Sequence, residues 1–539
     1  MVWTDTKSST DRGLGMRKSV RLGLIVLAPV FLLLVGFLFL RAGGDSRADE
    51  PVFSVASTWP PIHRNLSQTS DKQSRATDFA SNGDDIVAVW SEGFTSNDSY
   101  NGLIRMAWNG VTKGEWVEKD VYIEGGFVGT APSVAVDDTY AHFVWVSDIS
   151  GGSTRQYRVL YRKFNLDTGA WVAGGWKAIY PSSGYSATAL GSPKVAVDSG
   201  GTVHVVWAQT GLVGTYERDR IYYSANSGSS WSTPERITGT NPDSSFYSQD
   251  MPEIASLGTD VYVAWREKSA GDTSWGIYAN RRSGGTWDAT WTSSVLAGYR
   301  VSDGKYDEAP AMDAAGSRVY LAWDRWLGEE CDLFESNCYQ VYSVTYKVHT
   351  TGSTIDTSWS PSDSSRDVTV NGDSVEATAI ISTPQDVQTG DPILLEPGLV
   401  PSPEGYLSGV RPSLDVIYAN GVYTPYIVWH HWANEDNDSD NVNSSQPYQI
   451  RGAYGEGSVG AEDWEYISEE QDGVILAMNS DGIFAAPSLV MLPGQGGVYD
   501  YHVVMNVRVG SAPVKWDVLY TNPYDFEWVF LPAVFRAYP

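Results

Sequence analysis

Pro193-Lys-Val-Ala-Val-Asp-Ser-Gly-Gly-Thr-Val-His-Val-Val-Trp207 is the stretch that decides the fold. It holds a proline, a short strand that alternates (Val195 and Val197 on one face, Ala196 on the other), a turn, and a nearly continuous apolar strand ending in tryptophan. Clear copies run from Pro132 to Trp145, Pro252 to Trp265 and Pro310 to Trp323. Weaker ones run from Thr77 to Trp90, Pro412 to Trp429, and Pro487 to Met505, where methionine replaces tryptophan. Trp90, Trp145, Trp207, Trp265 and Trp323 follow one another at spacings of 55, 62, 58 and 58 residues. A repeat of that length made of strands signals a closed array of small sheets.

Each of the seven copies carries two further pieces. A Tyr/Arg-rich strand follows at residues 103–108, 157–161, 220–223, 276–278, 340–346, 449–454 and 516–520. A turn then leads to a segment opening on Trp116, Trp171, Trp231, Trp287, Trp359, Trp464 or Trp528. The unit is therefore four strands, here called a, b, c and d from first to last. Strand b is apolar along its length, as a strand covered on both faces should be. A β-sandwich needs roughly 100 residues per domain, so the repeat is too short for one. The sequence predicts an all-β propeller of seven four-stranded blades over residues 76–539.

The interval from Trp323 to Trp429 is 106 residues, and residues 368–407 read as an insertion on one rim between blades five and six. No stretch after residue 41 has a sustained helical period. Tryptophan (22) and tyrosine (31) are abundant, as expected where neighbouring blades bury large rings against each other.

Residues 22–40 carry no charge, follow five basic residues (Lys7, Arg12, Arg17, Lys18, Arg21) and are closed by Arg41. As a helix such a segment spans roughly 28 Å, close to the bilayer core. A membrane anchor is expected there, with residues 1–21 as a cytoplasmic basic tail and residues 41–75 as a tether. A signal segment cleaved after Ala48 is the alternative. The expected place is a cell membrane crossed once, with the propeller outside. Cys331 and Cys338 stand between strands b and c of blade five, and a disulfide closing that loop suits an oxidising compartment. A net charge of −28 argues against nucleic-acid partners and against contact of the propeller with anionic lipid. Membrane contact is then through the N-terminal helix only.

The turn between strands c and d of blade three reads Ser224-Ala-Asn-Ser-Gly228-Ser-Ser-Trp231. Blade two has Asp167-Thr-Gly169-Ala-Trp171, and blade four Gly284-Gly-Thr-Trp287. These turns resemble the Asp-box of sialidases and their relatives, Ser-x-Asp-x-Gly-x-Thr-Trp, with Asn226 in the aspartate position. An Asp or Asn there caps its own turn, glycine takes a positive φ, and tryptophan packs between sheets. The resemblance implies a sialidase-superfamily propeller, and it raises a six-bladed ring as the alternative count, since sialidases have six. It does not by itself imply hydrolysis. The family's first carboxylate-binding arginine lies in an Arg-Ile-Pro motif that this chain lacks, the nearest arginines being Arg64 and Arg75.

In an up-and-down blade the b–c and d–a connections share one face, which forms the binding mouth. The residues gathered there include Glu92, Asp148, Glu267 and Asp324 as candidate catalytic acids. Arg266, Arg325, Arg411, Trp326 and His430 are candidate ligand-binding residues. Carboxylates, arginines and aromatics around a depression can bind a sugar or hydrolyse one. Adjacent His430 and His431 point opposite ways on an extended chain, which favours a surface or hydrogen-bonding role over a metal site. Asp436, Asp438 and Asp440 have the alternating spacing that aims carboxylates at calcium. Asn441 and Pro447 stand where a helical calcium loop needs glycine and glutamate. No cofactor is required. Two functions follow: a surface propeller binding glycan or protein without catalysis, or a sialidase-like or other glycoside hydrolase.

Overall fold

The computed structural model describes strands and short turns between residues 64 and 522; residues 1–63, 381–410, 433–447, 523–539 and several shorter loops lie outside it. The described strands form seven separate sheets, each with a four-strand antiparallel path. Blade one is Gln73–Ser81, Asp85–Gly93, Leu103–Gly110 and Val117–Tyr122, and the same a-b-c-d order recurs in blades two to six. Seven blades, not six, close the ring.

The seventh blade is completed from the other end of the chain. Gly482–Pro493, Tyr499–Val509 and Lys515–Thr521 supply strands a, b and c, and the outer place is taken by Arg64–Asn65. Arg64 pairs with Tyr520 and Asn65 with Leu519. The sequence had placed the segment opening on Trp528 there; that residue lies outside the described ones. Residues near the two ends of the ring are thus hydrogen-bonded together, which leaves only a short outer edge on the last blade.

The core lies between blades. Trp90, Trp145, Trp207, Trp265, Trp323 and Trp429 are each no more than 1% exposed, and Met505 takes the equivalent place in blade seven. Val87, Met106 and Trp108 of blade one, for example, pack with Val134, Phe143 and Trp145 of blade two. Strand b is apolar on both faces because each face meets a different neighbour.

Strand a departs from expectation at its proline. The sequence put the proline at the strand's start, but Val128–Val136, Ser248–Leu257 and Asp307–Ala315 all begin earlier and carry it inside. The pairing register slips at that point in each of them. The residue just before proline has a positive φ in four blades: Ala131 (46°), Met251 (48°), Ala309 (40°) and Arg411 (46°). A bulge explains this, because proline has no N–H to give the ladder and a bulge leaves one residue unpaired. The backbone is strained there, at about 1–3 kcal/mol per residue.

The c–d turn of blade three behaves as its sequence implied. Asn226 Oδ1 accepts the Gly228 N–H (2.8 Å), Gly228 has φ 139°, and Trp231 bridges back to Asn226. In blade two the turn is capped from Asn165, whose Oδ1 accepts the Thr168 N–H (2.7 Å).

The segment after blade five begins by adding strands to two blades. Glu376–Ile380 pairs with strand c of blade five, while Val370 runs parallel to blade six's outer strand at Trp464. Among the described residues no helix is long and apolar enough to cross a membrane; the anchor expected at residues 22–40 lies outside them, as do Asp436, Asp438 and Asp440.

Five of the seven histidines are buried in the ring, His142, His204, His349, His430 and His431, and His502 is half-buried there. His142 shows why they stay neutral. Its Nε2 must donate to the Asp137 carboxylate (2.9 Å), so Nδ1 accepts from the Tyr161 hydroxyl (2.8 Å). His204 repeats the pattern with Asp198 (3.2 Å) and Tyr223 (2.7 Å). Burial lowers all six, with His349, His430 and His502 brought down to about 4. A histidine whose folded pKa is depressed binds fewer protons than its unfolded form, so stability is lost as pH falls from about 6.5 toward the folded value. Urea midpoints measured across pH should therefore drop steeply between about pH 6.5 and 4. A flat profile in that window would contradict the burial of neutral imidazoles.

Candidate functional site

The inner strands of all seven blades line a central cavity of about 730 Å³. Its charged lining includes Asp78, Lys194, Glu253, Asp313 and Asp415, with Asp250 and Arg411 where the bulges face the mouth. The first five recur one or three residues after the repeat's proline position, and Asp250 and Arg411 precede it. Lys194 Nζ lies 2.9 Å from Glu253 Oε1, with 29% and 22% of the two side chains exposed. Burial pushes Glu253 up to about 7, against the pull of Lys194.

Several lining carboxylates and hydroxyls reach across to the next blade's backbone. Asp78 Oδ2 accepts the Val134 N–H (3.1 Å), Asp313 Oδ2 that of Val416 (2.8 Å), and Asp415 Oδ2 that of Met491 (2.6 Å). Ser413 Oγ accepts the Leu489 N–H (3.0 Å). The inner strand of a propeller blade is an edge strand, and these groups satisfy its outward N–H groups.

At the mouth, the candidate residues occupy strands rather than solvent-facing loop ends, and most are buried. Arg266 is fully buried and forms a two-pronged pair with Asp250, Nε to Oδ1 at 2.8 Å and Nη2 to Oδ2 at 2.7 Å. Its guanidinium also stacks on Trp275 at 4.1 Å. Arg325 Nε donates to Asp307 Oδ1 (3.0 Å), which also accepts the Trp323 indole N–H (3.1 Å). Glu267 Oε2 accepts from the Trp265 indole and from Gln249 Nε2, both at 2.9 Å. Glu92 lies 3.3 Å from Arg105, which also holds Glu118 (3.1 Å) and Asp120 (3.3 Å). Asp148 ends strand b of blade two, opposite Val128.

The blade five–six junction gathers a different trio. Asp324 Oδ2 accepts the Arg411 backbone N–H (3.2 Å), and Arg411 acts electrostatically on His430. Burial foremost, then that guanidinium, holds His430 neutral; His430 and His431 are only 4% and 8% exposed, so the surface role expected for them is corrected. Trp326 is half-buried against the same junction's core. Thus Arg411 gives its backbone N–H to Asp324 and its charge acts on His430, whereas Arg266 and Arg325 are each engaged by a carboxylate of their own blade. Arg105, Trp275 and the channel charges were missed from sequence. The signal was present in the polar residues one and three places after each proline, which alternate like a solvated face.

Among the described residues no group of three or more His, Cys, Asp or Glu side chains is placed to hold a metal ion. No family model matches the chain, and no curated protein matches it. Among solved structures, Trypanosoma rangeli sialidase, as a covalent intermediate with 2,3-difluorosialic acid, aligns with 83% of this chain and 53% of its own at 8% identity and a TM-score of 0.37. The chain therefore spans about half the length of that enzyme. An endo-arabinase from Bacteroides thetaiotaomicron aligns with 49% of this chain and 92% of its own, at 15% identity and a TM-score of 0.30. The protein YjhT aligns with 70% of this chain and 97% of its own, at 9% identity and a TM-score of 0.32. The seven sheets themselves establish the fold, and none of these likenesses bears on chemistry.

Asp250→Asn removes the carboxylate that grips the buried Arg266 guanidinium at both prongs. The expected loss is about 3–5 kcal/mol of folding stability by urea unfolding. A loss under about 1 kcal/mol, the size of an exposed pair, would show that the mouth charges are solvated after all.

Proposed function

We propose that the chain is a surface-held, seven-bladed propeller that binds a glycan or protein ligand at the mouth of its channel without hydrolysing it. The observation that supports this most is the prior engagement of the mouth charges. Glu267 serves two buried donors, Asp324 a backbone N–H, Asp250 the Arg266 fork and Asp307 both Trp323 and Arg325. A general acid or nucleophile must reach substrate, and an anion clamp needs guanidinium donors pointing outward. Here those groups rigidify the mouth. Half-buried Trp326 and Arg411 are the residues placed to meet a ligand there, as an aromatic platform and a cation.

Fluorogenic sialosides and arabinosides should accordingly go unhydrolysed by the purified chain, while glycan and protein arrays give saturable binding that weakens in Trp326→Ala. Turnover that disappears in a folded Glu267→Ala or Asp324→Ala variant would establish the hydrolase instead.

The same reading puts the propeller outside the membrane, tethered through residues 22–40. Cys331 and Cys338 are register partners across the blade-five hairpin. Directly opposed residues of an antiparallel pair lie about 4.5–5.5 Å apart at Cα, within the roughly 4.4–6.8 Å that a disulfide spans. We propose that they are bonded in the mature protein. Alkylation before reduction should label neither cysteine, and alkylation after reduction both; labelling of the unreduced protein would refute the bond.

A further inference from the structure

Asp313 and Asp415 occupy the same place in adjacent blades, three residues after Pro310 and Pro412 on the inner strand. Both line the channel. One oxygen of each accepts a backbone N–H from the following blade, Val416 for Asp313 and Met491 for Asp415, and the first of these bonds sets the Asp313 carboxyl group against the peptide that joins Asp415 to Val416. A hydrogen bond between two carboxyl groups requires a proton on one of them.

We propose that Asp313 and Asp415 share one proton and act as a pH-sensitive clasp joining blades five, six and seven. With the proton present, the pair links Asp313 to Asp415 while the two backbone bonds carry the linkage on to blade seven. Once the proton is lost, two negative charges face each other on strands that must stay in contact. Among the described residues no lysine or arginine is paired with either of them. Blade seven's inner strand offers Ser488, Leu489, Val490 and Met491, none of which titrates. Blade four's offers Glu253, which is engaged by Lys194 of blade three. Asp78 projects into the cavity from blade one. Arg411, at the head of Asp415's own strand, has His430 as its electrostatic neighbour. The residues paired with them on strand b are Tyr320 and Tyr426, each pushed up to about 12, with burial the largest cause.

Burial, and for Asp313 the neighbouring Asp415, raises both carboxyl groups above the ordinary range. A raised carboxyl pKa makes the folded state bind more protons than the unfolded one. The contribution is complete below the unfolded value of about 3.9 and is lost as pH rises through the folded one.

The test compares melting temperatures of the full chain and of Asp313→Asn between about pH 5 and 9. Asparagine keeps an oxygen for the Val416 N–H and can donate its amide to Asp415, but it cannot lose a proton. The difference between the two curves should widen toward alkaline pH, with the variant the more stable. The histidines contribute alike to both proteins and cancel in that difference. Parallel curves would overturn the clasp. Infrared difference spectra give a second readout on the unsubstituted chain: a carbonyl stretch of a protonated carboxyl group should persist above the titration of Glu253 near 7 and vanish in Asp415→Asn. Its absence from the unsubstituted chain would equally overturn the proposal, whether or not either variant folds.

Discussion

A tyrosine on the third strand of one blade meets, edge-on, the tryptophan that opens the outer segment of the next blade. Tyr161 meets Trp231, Tyr223 meets Trp287 and Tyr346 meets Trp464, each with ring centroids 5.1 Å apart, and Tyr520 meets Trp116 at 4.9 Å. Such contacts are worth about 0.5–1.5 kcal/mol each beyond the area they bury. Their larger consequence is geometric. Strand d is short, two residues in several blades, and cannot hold itself to its own sheet by ladder bonds alone. The preceding blade's tyrosine fixes it from outside. The contact from Tyr520 to Trp116 joins the seventh blade to the first, together with Phe79 against Tyr520 and the Thr77 N–H donated to Asn506 Oδ1. Arg64–Asn65 add their two-residue pairing at the same seam.

That requirement reaches into the buried polar groups. A tyrosine whose ring packs inward must find a partner for its hydroxyl, and in blades two, three and seven the partner is a histidine one strand away. The imidazole must then be neutral and accepting at Nδ1. In blades two and three an aspartate of the a–b turn holds the other nitrogen. The Asp-Ser-Gly-Gly turn that looked like simple punctuation is therefore also the anchor of a chain running Asp198, His204, Tyr223 and Trp287 from one blade into the next.

Blade number was legible because the tryptophan of strand b is both periodic and buried for one reason, packing between two neighbours. The closure was not. A two-residue strand such as Arg64–Asn65 has no period to read, and nothing local distinguishes it from a tether, so its pairing with blade seven went unread. The mouth was half legible. The sequence put its residues just after the b strands and just before the a strands, whereas Arg266, Glu267, Asp324 and Arg325 still lie within strand b, and Asp250 and Asp307 within strand a. Their state was misjudged, because a charged residue reads as solvated unless its partner can be seen. Asp250 and Arg266 stand sixteen residues apart and meet only once the hairpin forms. The channel charges were invisible for the same reason in reverse: Asp313 and Asp415 alternate with apolar neighbours as surface residues do, and only ring closure turns that face inward.

A closed ring moves the edge-strand problem from the outside to the axis. Each inner strand still presents N–H groups that its own blade cannot pair, and seven such strands surround one cavity. Water can satisfy them in a channel this wide, yet the chain uses side chains from the neighbouring blade, as in Asp78 to Val134 and Ser413 to Leu489. Serine or asparagine would meet that backbone requirement without a charge. Aspartate in two adjacent blades instead puts two acids where only one can be ionised comfortably. The N–H groups explain why polar side chains line the axis. They do not require acids, and the choice of aspartate makes the junction of blades five, six and seven the part of the ring that responds to protons.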